Sequence, residues 1–260
     1  MYIACGGEFS CACKPARHGL NKRPLWMSAS VDDFKVTAVY AAFRCACPDN
    51  FMDQAVELVT GGRHVHCELV FLTTAADRSR STLSTVASVY PHGVYASDVL
   101  SDPFYGVCDR KGRFMPVDVA NGGSIGWEWL DITAAFDQGT EQRRRAFLWL
   151  LRRVGVAQYR KDTYVTFMLP CGRESYASVD DGVDVKTHYI CSELVADTLF
   201  GFGNLTDAQS ETLRQSCRRA MAPTEMTQKL SPSRLYKILV GFDGVSAVSS
   251  SSVRLLTRSI

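Results

Sequence analysis

The sequence predicts an α+β domain, with short antiparallel strands in the middle of the chain and helices on both flanks. Between residues 36 and 132, apolar side chains recur in short alternating runs broken by Gly and Pro, the mark of strands joined by turns. From Thr140, and again from Cys191, apolar residues return at helical spacing instead. No internal repeat and no linker-like stretch divides the 260 residues.

Taken in order, residues 1–34 form an irregular lead-in, punctuated by Gly6-Gly7, Pro15 and Pro24. Val36–Phe43 reads as a strand. A short helix follows from Phe51, capped by Asp49 or Asn50, with Met52, Ala55, Val56 and Val59 on one face and Gly61-Gly62 as its stop. His64–Thr73 alternates: Val65, Cys67, Leu69 and Phe71 share one face, and His64, His66 and Glu68 share the other. Further strands are predicted at Thr85–Tyr90, Gly93–Val99, Phe114–Val119, Ile125–Ile132 and Thr163–Leu169. Thr140 is placed to cap a helix whose buried stripe is Phe147, Leu150, Leu151 and Val154, ended by Gly155. A helix starts at Cys191, with Leu194, Val195, Thr198, Leu199 and Phe202 at helical spacing and Gly201 and Gly203 at its end. Helices over Asp207–Met221 and Pro232–Val240 follow, the second with Ser231 as cap and Pro232 in its first turn. Residues 241–260 read as a Ser-rich tail.

Composition narrows the class. The formal charge of +2 gives no electrostatic case for nucleic acid, and the basic stretch from Arg143 to Arg153 falls on an amphipathic helix as a solvated face. No apolar run is long enough to cross a bilayer, and the first residues lack the basic-then-apolar pattern of a secretory signal. Ten cysteines in a chain of this length fit free thiols in a reducing compartment, so a cytoplasmic location is expected. Cys11/Cys13 and Cys45/Cys47 are each separated by one residue, poor spacing for a zinc knuckle; neither a metal nor another cofactor is expected.

Two features carry chemistry. Cys191 opens a helix, where the partial positive charge of the N-terminus lowers a thiol pKa. Its helical face is apolar, so the thiol points towards whatever sheet that stripe packs on. A strand face carrying His64, His66 and Glu68 would supply a base there. The plain reading of Cys191 as a small buried hydrophobe stands beside this one.

At the level of whole motifs the chain resembles the circularly permuted NlpC-type papain-like superfamily. The residues are His66-Cys67-Glu68-Leu69-Val70-Phe71 and, more than a hundred positions later, Tyr189-Ile190-Cys191-Ser192-Glu193-Leu194-Val195. Gly155 followed by Tyr159, and Ser231-Pro232 followed by Leu235-Tyr236, are similar to two secondary features of that group. The likeness spans about residues 35–240, the unit it marks as a permuted papain-like catalytic domain. It implies a central antiparallel sheet packed against the helix that carries the nucleophile. It also implies Cys191 as nucleophile, His66 as base and Glu68 as the orienting residue, with His64 as rival base and Tyr189 at the oxyanion or lining the site. A third triad member on the following strand stays open. The implied activity is that of a cysteine peptidase or amidase acting through a thioester on a peptide, amide or acyl-ester substrate. A thiol acyltransferase and a non-catalytic virion or scaffold protein that keeps the fold are the alternatives. The His-x-Glu-Leu-Val-Phe form implies a source among large DNA viruses; oligomeric state is left open.

Overall fold

The computed structural model describes residues 34–46, 51–76, 80–89, 93–98, 106–108, 114–116, 126–136, 139–159, 188–218, 230–249 and 252. The expected lead-in, the caps Asp49 and Asn50, the strand at Thr163–Leu169 and Cys11, Cys13 and Cys47 lie outside the described residues, as do the side chains of Met52, Val59 and His188.

The elements run β1 (Phe34–Cys45), α1 (Phe51–Thr60), β2 (His64–Ala75), β3 (Ser81–Val89), β4 (Gly93–Asp98), β5 (Gly106–Cys108), β6 (Phe114–Pro116) and β7 (Trp127–Asp131). A 3-10 turn (Thr133–Phe136) leads to α2 (Thr140–Leu151), β8 (Gln158–Tyr159), β9 (His188–Tyr189), α3 (Cys191–Phe202), α4 (Asp207–Arg218), α5 (Pro232–Val240) and β10 (Ser246–Val248). Six strands pair antiparallel in the order β10-β7-β1-β2-β3-β4, so the fold is α+β. Two further pairs, β5 with β6 and β8 with β9, form separate two-stranded sheets. Among the described residues, no helix is long and apolar enough to cross a membrane.

The sheet has two faces of unequal depth. Val39, Ala41 and Phe43 of β1, with Cys67, Leu69 and Phe71 of β2, meet the apolar sides of α2, α3 and α5 in the main core. Phe147 of α2 packs its ring 4.8 Å from Phe71 and edge-on to Phe34. On the other face Tyr40, Ala42, Val70, Leu83 and Trp129 make a thinner layer. Strand alternation accounts for this partition, since neighbours along a strand must point to opposite sides.

Several differences from the sequence reading have local causes. Gly139, not Thr140, is the N-cap of α2, at φ 88° and with no side-chain cap; Thr140 is already the first helical residue. Ser231 does cap α5, its hydroxyl accepting the Arg234 N–H at 3.2 Å. The tail expected from residue 241 contributes to the fold: Ser246–Val248 pairs with β7 as the edge strand β10. Its three residues are too few, and too polar, for periodicity to mark them as a strand. Just before β2, Gly62 is required for close approach, because a Cβ there would collide with the Ser233 side chain. Ser233 uses that approach to bond both backbone groups of His64, accepting its N–H at 2.7 Å and donating to its carbonyl at 3.2 Å.

Phe147 is wholly buried between two strands. Phe147→Ala is expected to cost about 3–5 kcal/mol of unfolding free energy by urea denaturation, whereas Val240→Ala at an exposed position should stay within about 0.5 kcal/mol.

Candidate active site

The site is built where β2 and β3 part. Their pairing runs from Thr74↔Ser81 to Leu69↔Val86, yet β3 continues to Val89 and β2 begins at His64. Continuing that register would set Cys67 opposite Ser88. Instead, the segment entering α3 occupies the gap. The Ser88 hydroxyl donates to the Tyr189 carbonyl at 2.9 Å, and the Cys67 N–H, left without a strand partner on that side, donates to the Cys191 sulfur. Ser192 fastens the start of α3 from behind, its hydroxyl on the Leu230 carbonyl at 2.5 Å. The Glu193 carboxylate reaches back to accept the Ile190 N–H at 3.3 Å, a typical first-turn satisfaction of an orphan amide.

Cys191 is thus the first residue of α3 and buried at 6 % exposure. His66 lies beside it, 12 % exposed at its side chain, with its ring hydrogen-bonded to the thiol. The ring's Nε2 meets Glu68 Oε1 at 2.9 Å, which leaves Nδ1 as the nitrogen for sulfur. Glu68 is fully buried and held by two further donors, Thr85 Oγ1 to Oε2 at 2.5 Å and the Tyr95 hydroxyl to Oε1 at 3.4 Å. A carboxylate fixed in this way sets the tautomer of the imidazole and stabilises its charged form.

The electrostatics follow from these contacts. The hydrogen bond from the Cys67 thiol, opposed by burial and joined by the His66 ring and the Cys67 amide, holds the Cys191 thiol well below its ordinary pKa. Burial and the Cys191 and Glu68 charges push the Cys67 thiol well above its own. For His66, burial pulls the pKa down, but Cys191 and Glu68 outweigh it and push it up to about 9. Between those limits the pair exists as thiolate and imidazolium, the state a thiol nucleophile needs.

The other candidate residues go elsewhere. His64 does not share a side with His66. Arg44 faces His66 while the next residue, Cys45, faces His64, so Val65 is one extra residue in β2. This β-bulge resets the alternation, turning His64 towards Phe43, Tyr236 and Glu128. Burial lowers the His64 pKa in spite of Glu128, opposite to the shift of its neighbour. Tyr189 is a buried aromatic whose hydroxyl accepts from Arg153 Nε at 3.1 Å. Cys67 is the residue that sequence reasoning missed. Alternation places it correctly on the apolar face, but the partner there is the Cys191 thiol, which only the docking of α3 reveals.

Compared with known protein families, with curated proteins and with solved structures, the chain matches none.

The thiolate–imidazolium pair has a direct readout. Iodoacetamide alkylation of Cys191, followed by peptide mass spectrometry, should reach its plateau rate well below the pH at which an ordinary thiol ionises. In Cys67→Ala the midpoint of that profile should move upward, because the largest cause of the lowered thiol pKa is gone while the backbone N–H remains. An unmoved midpoint would show that the Cys67 thiol does not hold the Cys191 charge.

Proposed function

We propose that the protein is a cysteine-nucleophile amidase or peptidase that works through a thioester, with Cys191 as nucleophile, His66 as base and acid, and Glu68 as the residue that positions His66. The observation that carries the reading is the continuous chain Cys191–His66–Glu68 at a helix N-terminus, each link a hydrogen bond and each side chain buried or nearly so. A structural cysteine needs no imidazole, and a structural histidine needs no carboxylate fixed from three sides.

The Cys191 thiolate attacks the carbonyl carbon of the substrate, forming the C–S bond as the C=O electrons move to oxygen. The first-turn N–H groups of α3, which have no intrahelical acceptor, face the developing oxyanion. Collapse of that intermediate expels the amine, which takes its proton from the His66 imidazolium. Water, giving its proton to the now neutral His66, attacks the thioester; the C–S bond breaks, the carboxylic acid leaves, and the Cys191 thiolate and His66 imidazolium are restored. An acceptor other than water at this second step makes the same apparatus an acyltransferase.

The test is labelling by an electrophilic, acyl-type thiol probe together with turnover of a panel of peptide, isopeptide and ester substrates. Wild type should label at Cys191, and Cys191→Ala should lose both label and turnover. His66→Ala should lower the labelling rate about 10²- to 10⁴-fold, and Glu68→Gln should act in the same direction. Turnover should fall as pH rises through about 9, where the imidazolium loses the proton it delivers. Labelling that persists in Cys191→Ala, or that ignores His66, would overturn the enzyme reading in favour of a scaffold that keeps the fold.

A further inference from the structure

A second cluster of reactive side chains lies on the opposite side of β2 from His66, at the same end of the sheet. It joins three adjacent strands: Cys45 closes β1, His64 opens β2 and Glu128 stands in β7 opposite Phe43. One ligand atom from each, the thiol sulfur, the imidazole nitrogen and a carboxylate oxygen, lies within 4.8 Å of the other two. His64 Nε2 is 3.2 Å from Glu128 Oε2, and Cys45 Sγ is 4.0 Å from Glu128 Oε1. Ligands of a tetrahedral zinc at about 2.0–2.3 Å from the metal stand roughly 3.3–3.8 Å apart, so small side-chain adjustments close the triangle around one ion.

The cluster is built rather than incidental. The bulge at Val65 is what brings His64 to this side. Its ring is then clamped between Phe43 at 5.5 Å and Tyr236 at 4.4 Å, and its backbone is tied at both polar groups to Ser233. Cys45 is held by its N–H on the Gly126 carbonyl at 2.9 Å. The Tyr236 hydroxyl hydrogen-bonds Glu128, the kind of outer partner that orients a ligating carboxylate. The Arg63 guanidinium, mostly exposed, now sits against Glu128 and shows that a positive charge is accommodated there. Beside His64 and Tyr236 lies an open pocket of about 500 Å³, bordered also by Glu57, Arg63, Ser233 and Lys237.

We propose that Cys45, His64 and Glu128 bind a zinc ion, with a fourth position open towards the pocket beside His64 and Tyr236. One sulfur, one nitrogen and one oxygen donor suit a borderline divalent cation and disfavour magnesium or calcium, which take oxygen alone. Binding releases the Cys45 thiol proton to solvent and displaces Arg63 from Glu128. The ion ties β7, β1 and β2 together under α5, on the β1 edge of β2, whereas the Cys191 thiol sits at its β3 edge.

The experiment is a Co²⁺ titration of the full chain after chelation and dialysis, with Zn²⁺ as competitor. Wild type should develop a thiolate-to-cobalt charge-transfer band at one equivalent, removed by one equivalent of Zn²⁺. Cys45→Ser should lose the band, and Glu128→Gln, which keeps side-chain size, should weaken Zn²⁺ binding at least tenfold. Cys191→Ser should retain both, separating this site from the nucleophile. Absence of the band in wild type, its survival in Cys45→Ser, or its loss in Cys191→Ser overturns the proposal.

Discussion

An antiparallel sheet satisfies its backbone by pairing every inner strand on both sides, and β2 breaks that rule at Cys67. Unpaired amides inside a protein cost free energy comparable to a lost hydrogen bond, so something must occupy the gap between β2 and β3. The start of α3 does. The amide freed by the parting of the strands donates to the Cys191 sulfur, and the hydroxyl of Ser88 across the gap takes the Tyr189 carbonyl. Placement of the thiol, its charge state and its nearness to His66 all depend on this one substitution of a helix start for a strand partner.

The charges it brings together are expensive to bury. A desolvated thiolate, imidazolium or carboxylate costs several kcal/mol, of that order, for each ion removed from water. The structure offsets this by satisfying each in turn: two donors from Cys67 on the sulfur, Glu68 on the ring, and Thr85 and Tyr95 on the carboxylate. Thr85 and Tyr95 belong to β3 and β4, so the third member of the chain is braced by strands far from Cys191 in sequence. Their contribution is positional.

A single inserted residue divides the chemistry of β2. Val65 has no partner in β1, and the resulting bulge turns His66 to the Cys191–Glu68 system and His64 to Cys45 and Glu128. The two rings then differ in charge preference as well as in neighbours. His66 is drawn towards the imidazolium by Cys191 and Glu68, and His64 is held neutral by burial among aromatic rings. Strict alternation would have set both histidines on one surface, where they would compete for the same partners.

Much of this was written locally. The α+β class, the strand through His64–Ala75, the helix that opens at Cys191 and the cap at Ser231 follow from periodicity, turn residues and capping chemistry, because each depends on residues a few positions apart. Cys191, His66 and Glu68 could be singled out for the same reason: a helix start acts on a thiol locally, and positions two apart on a strand share a face. The bulge at Val65, the parting of β2 from β3, the pairing of Cys67 with Cys191 and the edge strand at Ser246–Val248 could not. Each arises between segments distant in sequence, where register and docking rather than local preference choose the partner. Which histidine meets the thiol is therefore a property of the tertiary structure, and that histidine is His66.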